Sequence, residues 1–144
     1  MTVEQYLAQP KKLDIETQQL RQQIEELMTT LTSVTVDLSK EHVDGGVQSD
    51  QLGLIERLAA VEAELDRKLI DKTVLRGKIV LEIQSLDDPR YVWVLYRRYI
   101  DNMKWEDIAE LPPLYPAFDT AKKWHTEAKR AFDEKFGTLI HALM

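Results

Sequence analysis

The feature that most constrains this chain is a heptad rhythm. From Leu20 the apolar residues run Leu20, Ile24, Leu27, Leu31, Val34 and Leu38, in alternating steps of four and three. A stripe with that spacing leaves water only when its helix lies against a second helix. Leu13 precedes the run, and Gln18, Gln19, Arg21, Gln22, Gln23, Glu25 and Glu26 fill the intervening positions with solvated, helix-favouring side chains. Thr29, Thr30, Thr32, Ser33 and Thr35 lower the propensity further on, so the helix is expected to end between residues 33 and 40.

Residues 40–50, KEHVDGGVQSD, carry Gly45-Gly46 and no periodicity, and predict a loop. Ser49 or Asp50 is placed to cap the helix that follows. That helix shows Leu54, Leu58, Val61, Leu65 and Leu69, then Ile79, Ile83 and Leu86, with Lys72 and Arg76 interrupting the stripe. At ~1.5 Å per residue the stretch 50–86 would be about 55 Å long. Gly77 lies inside it at a cost of roughly 1 kcal/mol against Ala, which a close helix approach or a bend would explain. Two amphipathic helices joined by one loop predict an antiparallel coiled-coil hairpin over residues 11–86. Both stripes can close on each other, and part of the seam can also pair with a second copy. Ahead of the hairpin, Val3 to Ala8 forms a short piece ending at Pro10. Its Tyr6 and Leu7 are expected to dock on the hairpin's end or on the C-terminal domain.

The last third has a different texture. Asp87-Asp88-Pro89 is a helix start, with Asp as cap and Pro at the first helical position. RYVWVLYRRYI continues it, with Val92, Leu95, Tyr96, Tyr99 and Ile100 at helical spacing, until Asp101-Asn102. A second short helix covers Lys104 to Leu111, with Trp105, Ile108, Ala109 and Leu111 inward, and Pro112-Pro113 stops it. A third runs from Asp119 to His141. On it Ala121, Trp124, Ala128, Ala131 and Phe132 share one face, opposite Asp119, Lys122, Lys123, Thr126 and Arg130. Trp93, Trp105 and Trp124 are expected as core anchors and His125 as a packed flank residue. Arg97 and Arg98 are expected to pair with Asp101, Glu106 or Asp107 or to reach phosphates, pairing being the safer role for Arg98. A short helix, a turn and a helix with outward cations near its start suit a reader of duplex DNA. The same spacing also fits a plain three-helix bundle whose lysines are solvated, with pairs such as Lys123–Glu127 and Lys129–Asp133.

Charge divides the same way. Residues 1–88 carry 10 Lys/Arg against 17 Asp/Glu, whereas residues 89–144 carry 9 against 8, so the overall −6 sits in the hairpin. There is no cysteine, so disulfides and thiolate chemistry are excluded, and His42, His125 and His141 form no metal-binding spacing. No apolar run approaches a membrane span, and the opening residues lack a signal-peptide pattern. No carboxylate pair, phosphate loop or nucleophile–base set points to an enzyme, and no cofactor motif is present.

Leu95-Tyr-Arg-Arg-Tyr99, Trp105-Glu-Asp-Ile-Ala-Glu110 and His125-Thr-Glu-Ala128 with Phe132 resemble the end of sigma factor region four. More closely, the chain resembles small prophage transcriptional regulators of the ArpU and RinA type and a related uncharacterised prophage family. That family is also similar in its opening, Tyr6-Leu-Ala-Gln-Pro-Lys-Lys-Leu-Asp14, in its hairpin with a Gly-rich loop, and in Leu86-Asp-Asp-Pro89. The resemblance implies a phage-encoded regulator in the cytoplasm of a bacterial host. It would bind double-stranded promoter DNA through a sigma-like helix-turn-helix. It implies core roles for Trp105, Ile108, Ala109 and Ala128, beside the Trp124 and Phe132 already placed by spacing, and it ties Arg98 with Tyr99 to the preceding helix. Lys123 stands where relatives tend to carry arginine. The chain departs from them in Leu111-Pro-Pro-Leu-Tyr-Pro-Ala-Phe118, a longer turn with three prolines in place of a short one with Gly. Asp119 stands where a base-facing group is expected, or caps the helix.

The expected architecture is therefore all-α: an N-terminal segment and antiparallel coiled-coil hairpin over residues 1–86, then a sigma-region-four-like helix-turn-helix domain over 87–144. The expected DNA contacts are Lys122, Lys123, Thr126, Lys129 and Arg130. No metal, cofactor, membrane or small-molecule substrate is expected. Host RNA polymerase and a second copy of the chain are the further partners. The alternative is a protein-interaction factor, an inhibitor or adaptor of a host or phage protein that uses the acidic coiled coil.

Overall fold

The computed structural model describes residues 1–40 and 45–143, with the side chains of 34–40 and 45–49 excepted. The described residues are all-α, without a strand. The helices are α1 (Val3–Leu7), α2 (Gln9–Lys40), α3 (Gly45–Gln84), α4 (Pro89–Leu95, continued by a π-helical turn over Tyr96–Ile100), α5 (Trp105–Ala109) and α6 (Phe118–His141). They form two compact units. One is Leu13–Asp71; the other joins Met1–Lys12 to Lys72–Met144. The division expected at 86/87 separated hairpin from helix-turn-helix in the sequence. The compact units instead give the last turns of α3 and the N-terminal segment to the C-terminal helices.

The unit of residues 13–71 is the antiparallel coiled-coil hairpin. Leu20 is buried, and Ile24, Leu27, Leu31, Leu54, Leu58, Val61, Leu65 and Leu69 are half-buried. Two helices alone cannot enclose a side chain on every side, so the stripe keeps a share of water. Thr17, a seven-residue step before Ile24, is fully buried; its hydroxyl donates to the Asp14 carbonyl at 2.8 Å, which removes the cost of burying it. Lys68 Nζ lies 2.9 Å from Glu16 Oε2, an ion pair that ties the two helices of the hairpin together. α2 stays helical through Lys40, so the end expected between 33 and 40 is not reached by Lys40, and the chain is already helical at Gly45. Ser49 and Asp50 are therefore inside the helix and are not its cap. Val34 and Leu38 have side chains outside those described, as does the central part of the expected loop.

The other unit has a closed core. Val3, Tyr6, Leu7, Ile79, Ile83, Leu86, Val94, Leu95, Tyr99, Ile100, Ala128, Phe132 and Ile140 form one buried cluster. Thr2 caps α1: its Oγ1 accepts from Gln5 N at 3.1 Å, and Gln5 Oε1 accepts from Thr2 N at 2.9 Å. That cap aims Tyr6 at two neighbours. Its ring lies 6.0 Å from Phe132, and its hydroxyl donates to Glu82. Pro10 does not end the segment; it is buried in the first turn of α2, where a missing N–H costs nothing. Asp88 caps α4, accepting from Arg90 N at 2.9 Å with Pro89 at the first position, as expected.

Two local expectations are corrected. The helix over 89–100 is not uniform, because Asp101 N reaches Tyr96 O at 3.0 Å and widens the last turn. Gly77 makes no close approach within the chain: α3 runs through it, and a Cβ there would meet nothing within 4 Å.

Candidate functional site

The candidate surface is the outer side of α6 and the segment that leads into it. α6 is held from behind by α4, α5 and α1. Ala121, Ala128 and Phe132 are fully buried, while Trp124 and Ala131 are half-buried. The two alanines let neighbouring backbones approach, and burial of the Phe132 ring contributes about 3 kcal/mol. Ile108 is fully buried beneath α6, with Trp105 and Ala109 half-buried beside it.

A hydrogen-bonded aromatic cluster fixes the rotation of α6. His125 is only 8% exposed, and its Nε2 lies 2.7 Å from the Tyr99 hydroxyl. Trp105 meets the imidazole edge-on at 4.9 Å, and the Arg98 guanidinium covers the Trp105 ring at 4.7 Å. Burial pushes the His125 pKa down to about 4, with the Lys129 charge adding to it, so the ring is neutral at pH 7. Burial also raises the Tyr99 hydroxyl well above its ordinary value. His125 is therefore a packed residue, as expected.

This clamp turns Lys122, Lys123, Thr126 and Arg130 outward, all exposed, together with Asp119. Among the described residues none of the three cations holds an ion pair. Lys122 Nζ sits 4.3 Å from the centre of the Phe118 ring, and Thr126 donates back to the Lys122 carbonyl at 3.2 Å. Lys129 is placed differently: it turns toward α1 and pairs with Glu4 at 3.6 Å. Four of the five expected contact residues thus share the outer sector, and the fifth flanks it. Glu127 accepts from the Tyr91 hydroxyl at 3.2 Å rather than pairing with Lys123. Asp119 lies in the first turn of α6 while Ala117 occupies the cap, so its carboxylate meets the helix dipole without capping it.

Of the two arginines expected to pair, only Arg97 does so among the described residues. Arg97 makes the ion pair, with Asp101 at 2.7 Å. Arg98 instead donates to the Met103 carbonyl at 2.9 Å, bracing the chain where Asn102 takes a φ of 56°. Trp93, Trp105 and Trp124 are half-buried, not wholly enclosed. Trp93 Nε1 is buried with no hydrogen-bond partner among the described residues and borders an open groove formed with Leu86, Pro89, Val92, Tyr96 and Arg97.

Sequence reasoning did not single out the apolar tip beside the cations. Leu114, Tyr115 and Phe118 are exposed, and Tyr115 is held at a φ of 42°. The prolines around them were the available signal, since they stop α5 and keep the intervening side chains from folding back onto a helix. Glu106 and Asp107 of α5 and Glu110 just after it are exposed as well. Among the described residues no three His, Asp or Glu side chains gather as metal ligands, and no helix is long and apolar enough to cross a membrane. Comparison with protein-family models, with curated proteins and with solved structures finds no match.

Proposed function

We propose that α5, the proline-bearing turn and α6 act as a helix-turn-helix that binds duplex DNA, in a transcriptional regulator of the prophage type. The observation that carries this reading is the exposed sector of α6, with three cations free of ion pairs backed by a clamped apolar face. A helix so held can enter a major groove without losing its packing, and Lys122, Lys123 and Arg130 can meet phosphates or base edges. On this reading Lys129 acts mainly as a strut to Glu4. The chain is non-enzymatic and works in the bacterial cytoplasm. Its hairpin supplies contacts to a second copy or to host RNA polymerase, the latter by analogy with sigma architecture alone.

The test is fluorescence anisotropy with labelled phage promoter fragments over a range of salt. Three phosphate contacts correspond to a log–log slope of about −3. Lys122→Glu with Lys123→Glu should abolish binding and leave the circular dichroism unchanged. Lys129→Ala should leave the slope nearly unaltered. Absence of binding at low salt would remove the regulator reading.

A second reading has its own support. Glu106, Asp107 and Glu110 would face phosphates unfavourably on α5 and at its end, and Leu114, Tyr115 and Phe118 offer exposed apolar area. Those features fit a protein-interaction factor, an inhibitor or adaptor that also presents the acidic coiled coil. Retention of a protein partner by a chain that ignores DNA would select it.

A further inference from the structure

The hairpin uses one stripe of α3, yet the helix carries another. Ile70, Val74 and Leu81 are 63%, 67% and 70% exposed, and with Gly77 they repeat at steps of four, three and four. That is the spacing of a coiled-coil seam, displayed to water. Gly77 is the position nothing else accounts for: it lowers helix propensity, and no atom approaches the place its side chain would fill. Asp71 and Lys78 both flank the stripe on one side, whereas Thr73 and Val80 flank the other. Lys78 holds no ion pair among the described residues.

We infer that this stripe is the seam for a second copy of the chain, paired antiparallel about a twofold axis between Leu75 and Arg76. In that arrangement Ile70 of one copy lies opposite Leu81 of the other, and Val74 fills the space left by Gly77. In antiparallel pairs like flanks face each other, so each Asp71 meets the other copy's Lys78. A parallel pairing would set Gly77 against Gly77, bring each Asp71 against the other copy's Asp66 and leave each Lys78 against Thr73. Charge and shape therefore select the same orientation. This inference goes beyond the DNA reading and does not depend on it.

The full-length chain, without DNA, tests it by light scattering across micromolar to millimolar concentration. The mass should rise from 16.8 kDa toward twice that value. Val74→Asp and Gly77→Leu should each weaken association by about tenfold or more, the factor that 1.4 kcal/mol represents. Both sites are exposed, so far-UV dichroism should stay unchanged. D71K should weaken the dimer, and D71K/K78D should restore it. Because the chain lacks cysteine, a V74C chain mixed with a G77C chain should give the mixed disulfide in preference to either same-residue product. A mass fixed at the monomer value, a dimer indifferent to both Val74→Asp and Gly77→Leu, or same-residue crosslinks alone would overturn the proposal.

Discussion

The hairpin and the C-terminal unit are built from similar amphipathic helices but achieve burial very differently. Across residues 13–71, among the side chains described, only Thr17 and Leu20 are nearly closed off from water. The other unit encloses a cluster that draws on α1, α3, α4 with its widened turn, and α6. Two helices meet along a line; four meet around a volume. The hairpin's stability is thus spread thinly over many half-buried residues, whereas the C-terminal unit concentrates it in a few. The first should tolerate single truncations that the second does not.

The sharpest way to break this contrast is a pair of truncations. Phe132→Ala removes a fully buried ring and should cost about 3–5 kcal/mol, whereas Leu27→Ala, half-buried, should cost about 1–2 kcal/mol. Urea unfolding followed by fluorescence and by far-UV dichroism measures both. All three tryptophans lie in the C-terminal unit, so fluorescence reports that unit and dichroism reports both. Equal costs would erase the distinction.

The next effect is confined to the closed core. His125 has a folded-state pKa of about 4, below its ordinary 6.5. Above pH 6.5 the ring is neutral whether the chain is folded or not. As the pH falls from 6.5 toward 4, the unfolded chain takes up a proton that the folded chain refuses. Stability should then fall by about 3 kcal/mol across that window. A His125→Phe, Tyr99→Phe chain should lose that much less over the same range, measured as the difference between two urea midpoint profiles.

Tyr6→Phe is smaller. It takes away the hydroxyl that donates to the partly buried Glu82, and the carboxylate loses a partner at a cost of about 1–2 kcal/mol. Smallest is Lys68→Ala in the hairpin, where water and salt screen the pair with Glu16, so the loss should be less than that from Tyr6→Phe and should shrink further at high salt. A larger loss from Lys68 than from Tyr6 would reverse the ranking of the two regions.

What could be read from the sequence follows the same divide. The hairpin seams, the Asp88-Pro89 helix start and the inward face of α6 were legible because each is a local pattern repeated at helical spacing. Thr17 was missed because a hydroxyl residue in a seam position looks polar until its own backbone satisfies it. Glu82 was missed because its partner is Tyr6, 76 residues away. The pairing of Lys129 with Glu4 rather than with Asp133 depends on α1 lying beside α6, which no local spacing announces. The outer stripe of α3 was in view residue by residue, but its exposure was not. Lys122, Lys123, Thr126 and Arg130 were legible as a sector. Their freedom from ion pairs required the geometry.

The widened turn at Tyr96–Ile100 has a consequence for how this chain can change over time. It inserts one residue into a helical repeat, held by the Asp101–Tyr96 backbone bond and by the Arg97 pair across it. Deleting a single residue there would restore ordinary pitch and a sounder-looking helix. It would also swing Tyr99 and Ile100 about a third of a revolution away from His125 and the buried cluster. This segment should therefore accept a change of side chain far more readily than any change of length, like a gear that meshes only with its extra tooth in place.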